Sequence, residues 1–226
     1  MPFPLAIFDL DGTLIDTAPD LVETLNIVLA AEDFAPVALE DARSMIGGGA
    51  RAMIARALEL QRADVSEALR ERMFDAFMHR YAAHIADRSR PFPGLTEALD
   101  RLEHDGFRLA ICTNKLEWLS RRLLDMLGLS ERFAVICGQD TFGVKKPDPA
   151  VLHATIAAAG TTAGRAVMIG DSDTDIRAAR AAGIPVIAVD FGYTEIPVAN
   201  LGPDLVISHF SALYDAVKRI SRERIN

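Results

Sequence analysis

Two groups of acidic residues follow short apolar runs in this sequence. Asp9 and Asp11 come directly after one run, and Asp171 and Asp175 come after another. Two unit charges about 4 Å apart repel by roughly 4 kcal/mol at an effective dielectric constant near 20. Carboxylates brought together in this way need a cation. Mg²⁺ suits them, because it binds through carboxylate oxygens, water and phosphate oxygens.

Each acidic group also has a purely structural interpretation. Asp11 followed by Gly12 is typical of a turn. Ser172 with Asp175 three residues later is typical of the first turn of a helix, where acidic side chains are favourable. Neither interpretation accounts for Asp171, which directly follows an apolar run.

A hydroxyl, an amide and two ammonium groups follow other apolar runs. Thr113 and Asn114 come after residues 107–112, and Lys145 and Lys146 precede a predicted helix. Asn114 could simply cap the next helix, and the lysine pair could lie in a solvated loop. Together with the carboxylates, however, these groups would form a crevice suited to a phosphoryl group.

Such a crevice requires a fold that gathers the ends of several strands. Short apolar runs, typical of buried parallel strands, occur at residues 5–8, 107–112, 133–137, 166–169, 185–189 and 205–207. Helical periodicity separates them, at residues 96–104, 116–127, 150–159, 174–182 and 212–220. This alternation predicts an α/β fold with a doubly wound parallel sheet. In such sheets ligands bind beyond the carboxyl ends of the strands.

The alternation is interrupted early in the chain. Residues 16–90 contain no expected strand, only helical patterns at residues 21–30, 39–45, 50–60 and 66–86. The segment ends at Pro91-Phe92-Pro93-Gly94, which is stiff and turn-prone and therefore suits a hinge. We predict a core domain of residues 1–15 and 91–226, with an all-helical cap domain of residues 16–90 inserted after the first strand.

The predicted cap contains a candidate anion site. Gly47, Gly48 and Gly49 precede a helical pattern, so the backbone could approach a ligand and the helix N-terminus could offer free N–H groups. Arg51 is the nearest cation that could meet a second anionic group of a substrate. A flexible turn and a solvated arginine are the alternative interpretations.

Composition excludes several classes of protein. With 226 residues, 50% of them hydrophobic, the chain can form a sizeable core and is not disordered. Its net charge of −8 disfavours binding to nucleic acid or to an anionic membrane. Two cysteines do not make a disulfide framework. The N-terminus does not resemble a signal peptide, and no apolar stretch is long enough to span a membrane, so we expect a cytoplasmic protein.

Four ordered motifs resemble those of the haloacid dehalogenase superfamily of phosphatases. They are Asp9-Leu10-Asp11-Gly12-Thr13-Leu14, Thr113-Asn114, Lys146-Pro147, and Gly170-Asp171-Ser172 with Asp175. The resemblance extends over nearly the whole chain. It implies a Rossmann-like core, a small mobile cap and dependence on Mg²⁺.

The resemblance also implies roles for the residues of the core motifs. Asp9 would be the nucleophile and form an aspartyl-phosphate, and Asp11 would protonate the leaving alcohol and later activate water. Thr113 and the backbone of Asn114 would hold phosphoryl oxygens. Lys146 would offset negative charge on the nucleophile and the phosphate.

The same resemblance implies a set of metal ligands. Mg²⁺ would be held by Asp9, Asp171 and the main-chain carbonyl of Asp11. Asp175 would assist through water or by orienting Lys146. Lys145 is an alternative to Lys146, which is preferred because it directly precedes a proline, as in the family motif.

Two further segments resemble the phosphoglycolate phosphatase branch of the family, at residues 16–21 and 46–50. The expected reaction is therefore Mg²⁺-dependent hydrolysis of a small phosphorylated metabolite, 2-phosphoglycolate, by a monomer or a homodimer. Alternative activities are a broader small-metabolite or sugar-phosphate phosphatase, a pyrophosphatase or a phosphosugar mutase. An alternative of a different class is a non-catalytic protein that binds a phosphorylated metabolite.

Overall fold

The computed structural model describes residues 4–43, 45–194 and 196–223. In chain order, the strands of these residues are β1 (Leu5–Phe8), β2 (Ile15–Asp16), β3 (Arg90–Pro91), β4 (Arg108–Cys112), β5 (Phe133–Cys137), β6 (Ala166–Gly170), β7 (Val186–Val189) and β8 (Leu205–Ile207). The helices are α1 (Ala18–Ala30), α2 (Leu39–Arg43), α3 (Ala50–Leu60), α4 (Glu67–Ala83), α5 (Leu95–His104), α6 (Glu117–Met126), α7 (Pro149–Ala158), α8 (Asp173–Ala181) and α9 (Leu213–Glu223).

Six of the strands form one parallel sheet, in the order β5-β4-β1-β6-β7-β8. The predicted doubly wound α/β fold is confirmed. Strand β1 lies at the centre, between β4 and β6, so the carboxyl ends of these three strands are adjacent. The residues that directly follow them are Asp9, Thr113 and Asp171.

Helices cover both faces of this sheet, which explains why its strands have apolar residues on both sides. All four side chains of β1 are fully buried. Ala6 and Phe8 belong to one hydrophobic cluster, and Leu5 and Ile7 belong to another on the opposite face. The continuous apolar run that predicted β1 therefore reflects two separate packed layers.

Helices α1 to α4 form a helical module between β2 and β3, and we call residues 16–90 the cap. Helix α4 packs against α1 and α3, and α2 packs against α1. Helix α1 begins earlier than predicted, because Pro19 lies in its first turn, where no backbone N–H is required. The predicted end of the second cap helix includes Ser44, which lies outside the described residues.

The expectation of a cap without strands is wrong at its two ends. Asp16 pairs with Arg90, and Ile15 pairs with Pro91, in an antiparallel ribbon formed by β2 and β3. The two segments that connect the cap to the core therefore lie side by side. A strand of two residues is too short to show an alternating pattern, which is why the sequence did not predict it.

A buried carboxylate strengthens this junction. Asp20 in α1 is 3% exposed and accepts hydrogen bonds from the backbone N–H of Arg88 and Ser89 and from the Ser89 hydroxyl, at 2.6–3.1 Å. These bonds attach the segment through which the chain leaves the cap to the first cap helix, α1. Among the described residues, no helix has both the length and the apolar character needed to cross a membrane.

Candidate active site

The predicted nucleophile, Asp9, directly follows the central strand β1 and lies at the carboxyl edge of the sheet. The backbone N–H of Asp9 donates to the Ile169 carbonyl of β6 at 2.9 Å, which continues the sheet by one residue beyond β1. The backbone N–H of Leu10 donates to Asp9 Oδ1 at 2.7 Å. The Asp9 carboxylate is thereby held in a buried position.

Lys146 is the cation beside this carboxylate. Its Nζ lies 2.9 Å from Asp9 Oδ1 and 2.6 Å from Asp175 Oδ1, and the residue is 1% exposed. Burial would lower the pKa of Lys146, but its ion pairs with Asp175 and Asp9 raise it above its ordinary value, so the lysine stays charged. Lys145 is more exposed than Lys146. Of the two lysines, the structure places Lys146 against the predicted nucleophile.

Asn114 holds the Lys146 loop in place. Its side-chain Oδ1 accepts from the Lys146 backbone N–H at 3.0 Å, and its Nδ2 donates to the Lys146 carbonyl at 3.1 Å and to the Gly47 carbonyl of the cap at 3.4 Å. The alternative role of Asn114 as a helix cap is not realised. Instead, Asp140 Oδ1 accepts from the backbone N–H of Glu117 at 2.8 Å.

Asp175 makes contacts of two kinds. It forms a capping box with Ser172, in which each side chain accepts from the backbone N–H of the other residue. Its second oxygen accepts the hydrogen bond from Lys146. The side chain that caps the start of α8 therefore also contacts the buried lysine.

Asp171 is anchored from two directions. Thr13 Oγ1 donates to its Oδ1 at 2.7 Å, and the backbone N–H of Tyr193 donates to its Oδ2 at 2.8 Å. An ideal Cβ at Gly12 would lie only 2.6 Å from Asp171 Oδ2, so a residue without a side chain is needed there. Gly12 also has a positive φ of 82°, which glycine adopts readily.

The buried carboxylates fit a divalent cation. One oxygen from each of Asp9, Asp171 and Asp175 can be chosen so that all lie within 4.8 Å of one another. Burial and repulsion from Asp175 raise the pKa of Asp9 to about 6, although Lys146 opposes the shift. Burial and repulsion from the other two carboxylates raise the pKa of Asp171 to about 7. Lys146 pairs with Asp9 and Asp175, whereas Asp171 forms no ion pair among the described residues, so the cluster lacks positive charge.

Asp11 lies two positions after Asp9 in the sequence but has a different cationic partner. Lys115 Nζ donates to Asp11 Oδ1 at 3.0 Å and to Oδ2 at 3.1 Å. The same ammonium donates to the Tyr81 hydroxyl of the cap at 2.7 Å. Neither Lys115 nor Tyr81 was predicted from the sequence as a site residue. The position of Lys115 directly after the Thr113-Asn114 motif was the available signal, whereas nothing in the sequence distinguished Tyr81 from an ordinary core residue.

A cavity of about 310 Å³ lies between the core and the cap. The predicted site residues that line it are Asp9, Asp11, Gly47, Gly48, Arg51, Thr113 and Asn114. The Arg51 guanidinium is ion-paired with Glu71 and lies over the Phe74 ring, 3.8 Å from its centre. The structure thus brings these predicted residues to one cavity, with Arg51 already paired on its cap side. The predicted residues Lys146, Asp171 and Asp175 do not line the cavity and lie behind Asp9.

Residues 6–189 match the family of haloacid dehalogenase-like hydrolases. This segment contains all four motifs and most of the site described above. The chain belongs to the haloacid dehalogenase-like hydrolase family. The predicted family is therefore confirmed, and with it the expectation that the protein is an enzyme.

Similar proteins of this family share nearly the full length of this hydrolase. A phosphoglycolate phosphatase from Mesorhizobium japonicum is 51% identical, and the alignment covers 94% of each chain. One from Agrobacterium fabrum is 48% identical over 95% of this chain and 92% of its own. The crystal structure of a predicted phosphoglycolate phosphatase from Haemophilus somnus 129pt has a TM-score of 0.90 at 28% identity, covering 95% of this chain and 97% of that one.

Proposed function

We propose that this hydrolase is a Mg²⁺-dependent phosphomonoesterase that converts 2-phosphoglycolate into glycolate and phosphate through an aspartyl-phosphate. The observation that carries the proposal is the contact between Asp9 and Lys146 beside a cavity that Asp9 lines. The names of the similar proteins from Mesorhizobium japonicum and Agrobacterium fabrum support the choice of substrate.

In the first half of the reaction, a carboxylate oxygen of Asp9 attacks phosphorus and the bond to the ester oxygen breaks. Asp11 gives its proton to that oxygen, so glycolate leaves as the alcohol. Lys146 stabilises the negative charge shared by Asp9 and the phosphoryl group. The Thr113 hydroxyl and the backbone N–H of Asn114 orient the phosphoryl oxygens.

In the second half, the ionised Asp11 takes a proton from a water molecule, which attacks phosphorus. The acyl-phosphate bond breaks, Asp9 is regenerated and phosphate is released. Asp11 ends the cycle protonated, as it began. The cap excludes bulk water from the cavity during the first half and must admit one water for the second.

The proposed ligands of Mg²⁺ are Asp9, Asp171 and the main-chain carbonyl of Asp11. When bound, the ion supplies positive charge that the dianionic phosphate requires among these carboxylates. Asp175 already accepts from Lys146 through one oxygen and from Ser172 through the other. We therefore favour the orienting role of Asp175 over direct binding to the metal.

The size and lining of the cavity support a small substrate. Its volume of about 310 Å³ lies near the lower end of the range for ligand pockets. Its cap wall includes the glycine loop and the apolar side chains of Met53, Phe74 and Phe77. This arrangement suits a compact phosphate ester better than a large one.

The test is a set of initial rates with Mg²⁺ for 2-phosphoglycolate, hexose phosphates, pyrophosphate and nucleoside monophosphates. We expect the highest kcat/KM for 2-phosphoglycolate and no turnover by Asp9→Asn. A higher kcat/KM for another ester would contradict the proposed substrate. A wild-type protein that turns over none of these compounds would favour a non-catalytic binding protein. Isotopic trapping of the phosphoryl group on any residue other than Asp9 would contradict the mechanism.

We further propose that the enzyme acts in the cytoplasm, as a monomer or homodimer, without a nucleic acid or membrane partner. The net charge of −8 supports this. Light scattering of the purified protein and fractionation of cells would test the assembly and the location. Sedimentation with membranes or retention by nucleic acid would contradict the proposal.

A further inference from the structure

Lys115 is a buried cation that the proposed mechanism does not use. Its side chain is 5% exposed, and its ammonium contacts both oxygens of Asp11 and the hydroxyl of Tyr81. The ammonium also lies 4.5 Å from the centre of the Tyr81 ring. A buried ammonium is unfavourable unless an anion accompanies it, and Asp11 is the carboxylate that it contacts.

This ammonium lies where the reacting end of a substrate must bind. Asp9, Asp11 and Lys115 line the same cavity. A substrate group that reaches Asp11 therefore also comes within reach of Lys115, whose Nζ lies 3.0 and 3.1 Å from the two Asp11 oxygens. Because a buried cation is stabilised by neighbouring anions, this position favours an acidic group on the substrate.

The covalent structure of 2-phosphoglycolate places a carboxylate close to this ammonium. Only a methylene group separates the ester oxygen from the carboxylate carbon, and the two bonds are each roughly 1.5 Å long. The ester oxygen must lie within hydrogen-bond reach of Asp11. The substrate carboxylate must therefore lie next to Asp11, in the cavity that Lys115 also lines.

We infer that Lys115 binds the carboxylate of the substrate and so selects small phosphate esters that carry an acid group beside the scissile bond. This inference rests on the proposed function. In the bound complex the ammonium contacts both Asp11 and the substrate carboxylate, which lie next to each other.

Other cations near the cavity are less suited to this role. The Arg51 guanidinium is paired with Glu71, and its side chain is 57% exposed. Lys146 pairs with Asp9 and Asp175 and, unlike Lys115, does not line the cavity. Lys145 lines the cavity but, unlike Lys115, has no recorded contact with Asp11.

The experiment compares three esters that differ only in the group next to the methylene carbon. They are 2-phosphoglycolate, the neutral 2-hydroxyethyl phosphate and the cationic 2-aminoethyl phosphate. We expect Lys115→Met to lower kcat/KM for 2-phosphoglycolate by about 10- to 100-fold relative to the neutral ester, mainly through KM. The kcat/KM for the cationic ester should rise relative to that for the neutral ester, because the variant removes a positive charge that repels the cationic substrate.

Lys218→Met is the matched control, because it removes an ammonium that is paired with Asp105 in a different pocket, which the active-site residues do not line. It should leave all three kcat/KM values unchanged. Equal losses on the three esters in Lys115→Met would overturn the inference and show that Lys115 only positions Asp11 or Tyr81. A larger selective loss in Lys145→Met or Arg51→Ala would also overturn it.

Two further variants cover the case in which Lys115→Met does not fold. Lys115→Arg keeps the charge and should retain the preference for 2-phosphoglycolate, whereas Lys115→Gln should lose it. The same preference in both variants would contradict the inference. The proposed function is tested separately, because it fails if the wild-type enzyme does not hydrolyse 2-phosphoglycolate at all.

Discussion

Lys146 Nζ donates to Asp175 Oδ1 at 2.6 Å, and both residues are almost completely excluded from solvent. Asp175 is also fixed by the capping box at the start of α8. The contact therefore connects the position of a helix terminus to the position of the ammonium beside Asp9. The first prediction follows from this connection.

Asp175→Asn should lower kcat by about 10- to 100-fold with little change in KM, because Lys146 loses its charged support and moves away from Asp9. Unfolding free energy should fall by about 1–3 kcal/mol. Steady-state kinetics and urea denaturation measure the two effects. Asp173→Asn is the control, since Asp173 lies in the same first turn but is exposed and pairs only with Arg177. Similar kinetic losses in both variants would contradict an orienting role for Asp175.

The stabilisation that Mg²⁺ gives the folded protein should increase with pH. In the metal-free protein, the pKa values of Asp9 and Asp171 are raised from 3.8 to about 6 and about 7. The folded state therefore binds these protons more tightly than the unfolded state, and their contribution to stability is lost as pH rises from about 4 to about 7. At the proposed site, Mg²⁺ would be held by the ionised carboxylates and should reverse this loss.

Urea denaturation between pH 4 and pH 8, with Mg²⁺ or with chelator, measures this difference. We expect the two stability curves to separate progressively above about pH 5. In Asp171→Asn the separation of the two curves should be much smaller, because one of the two carboxyl groups with a raised pKa is absent. A separation that does not depend on pH would argue against metal binding by these carboxylates.

Asp20→Ala should destabilise the junction between cap and core. The substitution leaves the backbone N–H groups of Arg88 and Ser89 and the Ser89 hydroxyl without their acceptor. We expect a loss of about 2–4 kcal/mol in unfolding free energy, since each buried donor left unpaired costs about 1–3 kcal/mol. Ser89→Ala removes only one of these donors and should cost about 1 kcal/mol. Thermal or urea denaturation measures both losses. Equal losses of unfolding free energy in the two variants would show that the hydrogen bonds from the backbone N–H groups of Arg88 and Ser89 contribute little.

Gly170→Ala should lower activity by displacing the side chain of Asp175. A Cβ at this position would overlap the side chain of Asp175, which is fixed by Ser172 and Lys146. We expect a loss of about 1–3 kcal/mol in stability and a lower kcat. Gly164→Ala is the matched control, because its Cβ would enter open space. Wild-type kinetics in Gly170→Ala would show that Asp175 can shift without disturbing Lys146.

The main sheet could be predicted from the sequence because its strands are buried on both faces. Fully buried parallel strands are apolar at every position, so residues 5–8 and 166–169 were visible as continuous runs. The motifs that follow them were visible for the same reason, since polar residues begin where the strand ends. The two-residue strands β2 and β3 carry no comparable pattern.

Contacts between distant segments could not be predicted from local patterns. Tyr81 and Lys115 are 34 positions apart, and their contact depends on how the cap lies over the core. Asn114 is compatible in the sequence with a helix cap and with a site residue, and its contacts with the Lys146 loop exist only in the folded chain. Each of these outcomes was determined by tertiary structure, which spacing in the sequence does not encode.

The ribbon of β2 and β3 brings the two ends of the helical insertion together. Asp16 and Arg90 pair across it, so the insertion begins and ends at one place beside the six-stranded sheet. Gly47 and Tyr81 reach the cavity from the insertion, whereas Asp9 and Thr113 reach it from the ends of the parallel strands. The two walls of the cavity therefore belong to parts of the chain that this narrow ribbon joins.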